Sequence, residues 1–170
     1  MSAQDSKLFV ISGPSGAGKG TLVTRVRERR SNLGLTVSAT TRAPRKGEVD
    51  GVNYFFLTRE EFDRRVTNGE FVEWAEVHGN CYGTLVSEVT SKLASGASLI
   101  LEIDVQGALQ VKERFPEAVL IFIKPPSLEV LRERLVGRGT ETPETIELRM
   151  ANAADELALA DRYDDVVVND

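Results

Sequence analysis

The stretch Gly13-Pro-Ser-Gly-Ala-Gly-Lys-Gly-Thr21 follows an apolar run at residues 8–11 and leads into a segment with helical character at residues 21–30. This order predicts a strand, a glycine-rich turn and a helix. The glycines let a polyphosphate lie against the backbone, and the unpaired N–H groups at the start of the helix favour an anion. The spacing Gly13-x4-Gly18-Lys19 adds a mobile cation for the β- and γ-phosphates. The stretch therefore predicts a nucleoside triphosphate site rather than an ordinary tight turn.

The residue after the lysine departs from the usual phosphate-loop pattern. A Ser or Thr commonly stands there and binds magnesium, whereas this chain has Gly20, and Thr21 comes one residue later. Asp104 ends an apolar run, a position where phosphate-loop enzymes hold magnesium directly or through water, although it could also be an ordinary turn aspartate. Because Mg²⁺ keeps several waters, we expect the nucleotide phosphates and water to be its main ligands.

Length, charge and cysteine content exclude several classes of protein. The chain has 170 residues, enough for one domain with a sizeable core. Its 21 basic and 26 acidic residues leave a net charge of −5, which does not suit a general nucleic-acid binder. No apolar run reaches the length of a membrane span, the N-terminus has no signal-peptide pattern, and the single Cys81 suits a reducing compartment. We therefore expect a cytoplasmic protein that binds neither nucleic acid nor a membrane.

Apolar and amphipathic segments alternate along most of the chain. Strands are predicted at residues 8–11, 35–37, 53–56, 71–77, 98–103, 118–123 and 165–168. Helices are predicted at residues 21–30, 58–67, 86–94, 108–114, 127–136 and 143–161, several of them with a Ser or Thr cap at the start. The alternation indicates an α/β fold with a parallel sheet of about five strands and flanking helices. Because the chain stops directly after a strand, we expect that it has been trimmed.

Two parts of the chain do not fit the parallel sheet. The strand at residues 71–77, the Gly79-Asn80 turn and a short return strand containing Tyr82 indicate a small antiparallel insertion. The polar segment at residues 38–51 is too long and too charged for a connector, and it contains Arg42-Ala-Pro-Arg45. Two guanidinium groups at this spacing can bind one phosphate, although a solvated basic turn is the alternative. Beside a phosphate loop, such a segment could hold an acceptor phosphate in line with the donor.

A set of motifs spread in order over nearly the whole chain resembles those of the guanylate kinases. They are Gly13-Pro-Ser-Gly-Ala-Gly-Lys19, Ser38-Ala-Thr-Thr-Arg42-Ala-Pro-Arg45-x-Gly-Glu48, Asp50-Gly-x-Asn-Tyr54, Gly69-Glu-Phe-x-Glu73-Trp, Tyr82-Gly-Thr84, Asp104-Val-Gln-Gly107 and Gly139-Thr-Glu-Thr142. The resemblance implies transfer of the γ-phosphoryl group of ATP to GMP or dGMP, with Mg²⁺, in purine nucleotide metabolism. ATP and GMP are the implied partners; a monomer and a homo-oligomer both stay open.

The resemblance also implies how the chain is divided. The core of a phosphate-loop NTPase would comprise residues 1–37, 85–133 and 150–170, a small mixed α/β GMP-binding domain residues 38–84, and a helical lid residues 134–149. Closure of the lid would bring its arginines over the transferring phosphoryl group and exclude water. The implied catalytic residues are Lys19, Arg45, Arg138 and Arg149. The implied ATP contacts are Gly13, Pro14, Ser15, Gly16, Ala17, Gly18, Lys19, Gly20, Thr21, Arg134 and Asn169, with Thr21 and Asp104 near the metal.

For the acceptor site, the resemblance implies that the GMP phosphate is held by several polar side chains, with Glu48 placing the arginines. These are Ser38, Arg42, Arg45, Tyr54 and Tyr82. The guanine would be read by Glu73 and Thr84, with Asp104. Guanine offers two adjacent donors to an acceptor-only carboxylate, whereas adenine would leave Glu73 unpaired at a cost of about 1–3 kcal/mol. A place for Glu73 on the outward face of its strand is the alternative.

Two other functions compete with this interpretation. A GTPase would explain Asp104-Val-Gln-Gly107 as a D-x-x-G motif, but the chain has no Asn-Lys-x-Asp motif to read guanine. Guanylate-kinase-like modules that bind peptides without catalysis typically lack an intact phosphate loop and the lid arginines, which this chain has. The sequence therefore favours the enzyme.

His78 has no second ligand at metal-binding spacing, so we expect no metal site there.

Overall fold

The computed structural model describes residues 6–14, 16–139 and 141–169, so Ser15, a predicted ATP contact, lies outside the described residues, as does Thr140. The strands are β1 Leu8–Ser12, β2 Leu33–Leu35, β3 Ala39–Thr40, β4 Phe55–Phe56, β5 Phe71–Val77, β6 Asn80–Leu85, β7 Ser98–Glu102, β8 Val119–Lys124 and β9 Asp165–Val168. The helices are α1 Lys19–Arg29, α2 Arg59–Thr67, α3 Val86–Ala94, α4 Val105–Arg114, α5 Leu128–Gly137 and α6 Pro143–Ala158.

The larger sheet is parallel and has the strand order β2-β7-β1-β8-β9. In its centre, Val10 of β1 pairs with Leu101 of β7 on one side and Leu120 of β8 on the other, and all three side chains are buried. Strands inside a parallel sheet are covered on both faces, which is why they consist of continuous apolar runs. The predicted α/β fold with a parallel sheet of about five strands is confirmed.

The smaller sheet has the order β4-β3-β6-β5 and is mixed, because β3 and β4 run parallel and the other pairs antiparallel. Helix α2 covers it, and the ring of Phe62 stacks on Phe71 with the centroids 4.4 Å apart. Cys81 is a free thiol buried in the same cluster. The small insertion beside the parallel sheet is therefore confirmed, while the division into three domains stays a prediction.

Side-chain caps begin several helices where the sequence predicts them. The hydroxyl of Thr58 accepts from the N–H of Glu61 at the start of α2, and Ser127 does the same for α5. Thr142 caps α6, whose first residue is Pro143. A proline is tolerated there because the first N–H of a helix has no partner within the helix.

One predicted strand was wrong in position, and another was too long. The strand expected at residues 35–37 lies at Leu33–Leu35, where Gly34 approaches the side chain of Leu99 in β7. The strand expected at residues 53–56 is reduced to Phe55–Phe56. Its partner, Ala39–Thr40, was not predicted because it lies inside the polar segment. Pairing with a distant strand, rather than local apolar content, decides these short elements.

Several helix boundaries also differ from the prediction, and α1 begins at Lys19 instead of residue 21. Helix α4 begins at Val105 instead of residue 108, because the carboxylate of Asp104 caps it by accepting from the N–H of Gly107 at 2.7 Å. Helix α6 ends at Ala158, and a 3-10 turn at Ala160–Arg162 follows. Within the described part of the chain, no helix is both long and apolar enough to cross a membrane.

Candidate active site

The glycine-rich loop joins β1 to α1 and packs tightly against the ends of β8 and β9. A Cβ atom on Gly13 would collide with the carbonyl oxygen of Ile123, and one on Gly18 would collide with the side-chain amide of Asn169. Gly18 also has a positive φ of 89°, which favours glycine. No side chain among the described residues caps α1, so the N–H groups of its first turn face the loop, as an anion site requires.

Lys19 is the first residue of α1 and reaches back over the loop. Its ammonium group donates a 2.6 Å hydrogen bond to the carbonyl oxygen of Gly13. A backbone carbonyl is a neutral partner, and the charge of Lys19 also acts on the half-buried carboxyl of Glu156 in α6. The group is therefore placed where an anion on the loop would attract it.

Arg134 of α5 and Asn169, just after β9, brace the same loop. The guanidinium of Arg134 donates to the carbonyl oxygens of Gly16 at 3.3 Å and of Asn169 at 3.0 Å. The side-chain amide of Asn169 donates to the carbonyl of Ala17 at 2.8 Å, and its own N–H bonds to Lys124. The structure thus brings both of these predicted ATP-binding residues to the phosphate loop, although each is engaged with backbone.

A second cationic centre lies in the segment between β3 and β4. Arg42 and Glu48 form a two-pronged ion pair, with both N–O distances 3.0 Å and the side chains only 13% and 19% exposed. The same carboxylate accepts from the N–H of Arg45 at 2.7 Å. Hydrogen bonding by Arg42 lowers the pKa of Glu48, and the pair raises the pKa of Arg42. Glu48 therefore organises this segment by holding a side chain and a backbone group at once.

Two tyrosines complete this centre. The guanidinium carbon of Arg42 lies 5.2 Å from the ring centroid of Tyr54, a cation–π distance. The rings of Tyr54 and Tyr82 meet edge to face at 6.2 Å. Ser38 is half-buried beside β4, where its carbonyl accepts from the N–H of Phe55. The side chain of Arg45 is exposed. The cluster thus joins residues from three separate motifs.

Glu73 is a buried carboxylate on β5, with only 8% of the residue exposed, so its alternative place on an outward strand face is wrong. The hydroxyl of Thr84, on the neighbouring strand, donates to it at 2.8 Å. Burial raises the pKa of the Glu73 carboxyl, and the nearby charge of Asp104 adds to the effect. Thr84 is the partner that supports the ionised form.

The inward direction of Glu73 depends on an irregularity in β5. The pairing register between β5 and β6 shifts between Phe71 and Glu73, as in a β-bulge, and Phe71, Val72 and Glu73 are all buried in succession. A regular strand would alternate its faces, and a bulge can re-aim a side chain. Sequence alternation alone could not reveal this.

The model of the guanylate kinase family matches residues 5–170 of the sequence. The chain belongs to the guanylate kinase family. The guanylate kinase of Gloeobacter violaceus is 58% identical over 165 residues, covering 97% of this chain and 80% of that protein. The guanylate kinase of Halalkalibacterium halodurans is 55% identical over 170 residues, covering 100% of this chain and 83% of its own length. The resemblance inferred from the motifs is therefore confirmed.

A solved structure supports the same conclusion. The crystal structure of guanylate kinase from Anaplasma phagocytophilum matches this chain with a TM-score of 0.71 at 40% identity. The match covers 97% of this chain and 77% of that one. The two-sheet architecture described above is thus the fold of a guanylate kinase.

The arginines predicted for the lid of this guanylate kinase fold occupy different surroundings. Helices α5 and α6 pack on each other through a small apolar cluster around Leu131 and Leu135. Arg149 of α6 forms an ion pair with Glu141 at 3.2 Å, while Arg138 is exposed directly after α5. Arg134, at the start of the predicted lid, lies against the phosphate loop through its bond to the carbonyl of Gly16.

Two carboxylates near the loop were not predicted. Glu102 ends β7 and lies beside the first turn of α1, with its Oε1 atom 3.7 Å from the position of a Cβ on Gly20. Glu156 of α6 is half-buried; burial raises the pKa of its carboxyl, opposed by the charge of Lys19. The signal for Glu102 is its position at the end of a strand, where ligands bind in parallel sheets. The signal for Glu156 is its spacing of seven residues from Arg149, which places both residues on one face of a helix.

The oxygen groups around the loop suit a hard divalent cation. Glu102 is the last residue of β7 and Asp104 follows the strand, while Thr21 is exposed on the first turn of α1. Magnesium prefers oxygen ligands and completes its octahedron with water and substrate phosphates. This donor set therefore fits Mg²⁺ bound together with a nucleotide.

Proposed function

We infer that the protein transfers the γ-phosphoryl group of ATP to GMP, giving ADP and GDP. The single observation that carries the choice of acceptor is the buried, ionisable Glu73, placed by Thr84 in a chain of this family. Guanine presents N1–H and the N2 amine side by side, and a carboxylate accepts both. Adenine has no such pair of donors and would leave this carboxylate buried without a partner.

The donor site is proposed to be the glycine-rich loop. The triphosphate would lie against the N–H groups of residues 13–21, and Lys19 would exchange the carbonyl of Gly13 for the β- and γ-phosphate oxygens. Arg134 and Asn169, which hold the loop through the carbonyl groups of Gly16 and Ala17, are proposed to border the adenine. Loss of either would therefore disturb both the shape of the loop and the fit of ATP.

The acceptor site is proposed to lie on the smaller sheet and its polar segment. The GMP phosphate would bind Arg42 and Arg45 with the hydroxyl groups of Ser38, Tyr54 and Tyr82, and Glu48 keeps the arginines in place. The guanine would bind Glu73 and Thr84, with Asp104 near the same edge. The two ends of the nucleotide would thus be read by different motifs.

Phosphoryl transfer between such sites depends on alignment and on charge stabilisation. The protein needs no covalent intermediate, because a held acceptor oxygen attacks the γ-phosphorus directly. Lys19 and Arg45, with Arg138 and Arg149 from the predicted lid at residues 134–149, would stabilise the charge on the transferring oxygens. Closure of the lid over both substrates would exclude water and so suppress ATP hydrolysis.

Magnesium is the proposed cofactor. Thr21, Asp104 and Glu102 are the groups that would face it, directly or through water. When bound with ATP, it would neutralise negative charge on the β- and γ-phosphates. Gly20 contributes no side chain to it, so the phosphates and water would be its main ligands. Two or more direct side-chain ligands in a nucleotide-bound crystal structure would contradict this assignment.

We propose that the chain divides into three parts. They are a core at residues 1–37, 85–133 and 150–170, a GMP-binding domain at residues 38–84 and the lid at residues 134–149.

We place the activity in the cytoplasm, in purine nucleotide metabolism. The free, buried Cys81 is consistent with a reducing compartment.

A coupled ADP-release assay tests the function. With ATP and Mg²⁺, GMP and dGMP should support turnover, whereas AMP, UMP and dTMP should be nearly inactive. GTP hydrolysis without any dependence on GMP would favour a GTPase. Binding of GMP with no ADP release would favour a non-catalytic module. The Lys19→Ala variant is the control for contaminating kinases, since its preparation should lose the signal.

A further inference from the structure

Gly107 lies in the first turn of α4 and has no role in the function proposed so far. It is buried, and its backbone is that of an ordinary helix rather than the left-handed region. A glycine in a helix lowers stability relative to alanine, because it loses more conformational freedom on folding. A reason outside its own backbone is therefore needed for this residue.

The reason lies in what surrounds it. A Cβ atom on Gly107 would lie 3.1 Å from Oε2 of Glu73, 3.2 Å from Oδ1 of Asp104 and 3.3 Å from Cδ1 of Ile103. Carbon–oxygen contacts of this length are shorter than the usual van der Waals separation. The absence of a side chain at Gly107 therefore leaves open the space where the carboxylates of Glu73 and Asp104 converge.

Neither carboxylate can move away freely. The other oxygen of Glu73 accepts a 2.8 Å hydrogen bond from Thr84, which is itself only 1% exposed. Oδ1 of Asp104 accepts from the N–H of Gly107 at 2.7 Å and so caps α4. A methyl group at position 107 would therefore displace Glu73 by a few tenths of an ångström, or strain its bond with Thr84.

We propose that Gly107 is a positioning residue for GMP binding, because it keeps open the space into which Glu73 presents its second oxygen. This inference rests on the proposed function, because it requires that Glu73 reads the base of GMP. The two donors of guanine need both carboxylate oxygens at the right distance, and small displacements of a positioning group are costly. The atom nearest to a Cβ at this position belongs to Glu73, so the effect on the acceptor should exceed any effect that Asp104 transmits to the metal.

The Gly107→Ala variant tests this, with GMP binding measured by calorimetry in the absence of ATP. We expect GMP affinity to fall about tenfold while the KM for ATP stays within about twofold of the parent. The melting temperature should change little, because the helix preference of alanine and the crowding against Glu73 act in opposite directions. Gln110→Ala, one turn later and exposed on the same helix, is the matched control and should leave GMP binding unchanged.

Two outcomes would overturn the inference. One is unchanged GMP affinity in Gly107→Ala; the other is a lower melting temperature with equal loss of GMP and ATP binding, which would mean a purely structural role. A double-mutant cycle adds a second criterion: in a Glu73→Gln background, Gly107→Ala should cost much less, and full additivity would contradict the mechanism. If the parent protein itself does not bind GMP, the proposed function fails instead.

Discussion

Lys19 and Gly13, at the two ends of the glycine-rich loop, are joined by a 2.6 Å hydrogen bond from the ammonium group to the carbonyl oxygen. The bond spans the loop that a triphosphate would occupy. Because the carbonyl is neutral, a polyphosphate would be the stronger partner for this cation. The bond therefore marks the starting position of a side chain that would exchange this carbonyl for the phosphates when the donor binds.

Lys19→Ala should lower turnover at least a hundredfold while GMP affinity changes by less than about threefold. The lysine acts on the donor phosphates, and the acceptor contacts lie on other elements. Steady-state kinetics together with GMP titration would separate the two effects. An equal loss of turnover and of GMP binding would mean that Lys19 holds the whole site rather than the donor.

Glu48→Gln should raise the KM for GMP about tenfold and leave the KM for ATP unchanged. The amide keeps one acceptor but loses the charge that holds Arg42 and the N–H of Arg45. Glu147→Gln is the matched control, because its pair with Arg132 is exposed and should contribute little. A similar small effect from both variants would show that Glu48 has no special role in binding.

The affinity for GMP should depend on pH through Glu73. Burial raises the pKa of this carboxyl above its ordinary value of 4.5. GMP needs the ionised form, so affinity should fall as pH decreases through this raised pKa, at higher pH than for an exposed glutamate. Calorimetric titration over a range of pH would measure it, and Glu73→Gln should bind weakly and keep only the pH dependence that comes from the phosphate of GMP.

The same shift has the opposite sign for folding stability. A raised carboxyl pKa means that the folded protein binds more protons than the unfolded chain between the two pKa values. The contribution of Glu73 is therefore fully present below pH 4.5 and is lost as pH rises through its folded-state pKa. Relative to Glu73→Gln, the parent protein should lose stability across that window, and a difference that is constant with pH would refute the assignment.

Asn169→Ala should lower the free energy of unfolding by about 1–3 kcal/mol and also raise the KM for ATP. It removes the donor for the carbonyl of Ala17 and leaves space beside Gly18. Asn169→Asp should be worse, because a carboxylate oxygen would then face that carbonyl. Chemical denaturation and ATP kinetics would test both, and unchanged values in both variants would exclude a bracing role.

Much of the fold follows from local patterns. The apolar runs of β1, β7 and β8, the caps at Thr58, Ser127 and Thr142, and the loop from Gly13 to Thr21 are encoded within a few residues each. Hydrophobic spacing and capping act over that range, so they can be interpreted without a partner. The short strands β2 and β3 were misplaced or missed because their pairing partners are far away in the sequence.

By itself the sequence determined the phosphate loop, the α/β fold class and, through its motifs, the family, because each depends on residues that are close along the chain or on a fixed order of motifs. Only the tertiary structure decided which residues meet: Glu73 with Thr84 and the backbone of Gly107, Glu102 with the backbone of Gly20, and Asn169 with the carbonyl of Ala17. The physical reason is that strand register, a β-bulge and helix packing bring distant residues within hydrogen-bond range, and a shift of a single residue in register would reverse the direction of these side chains.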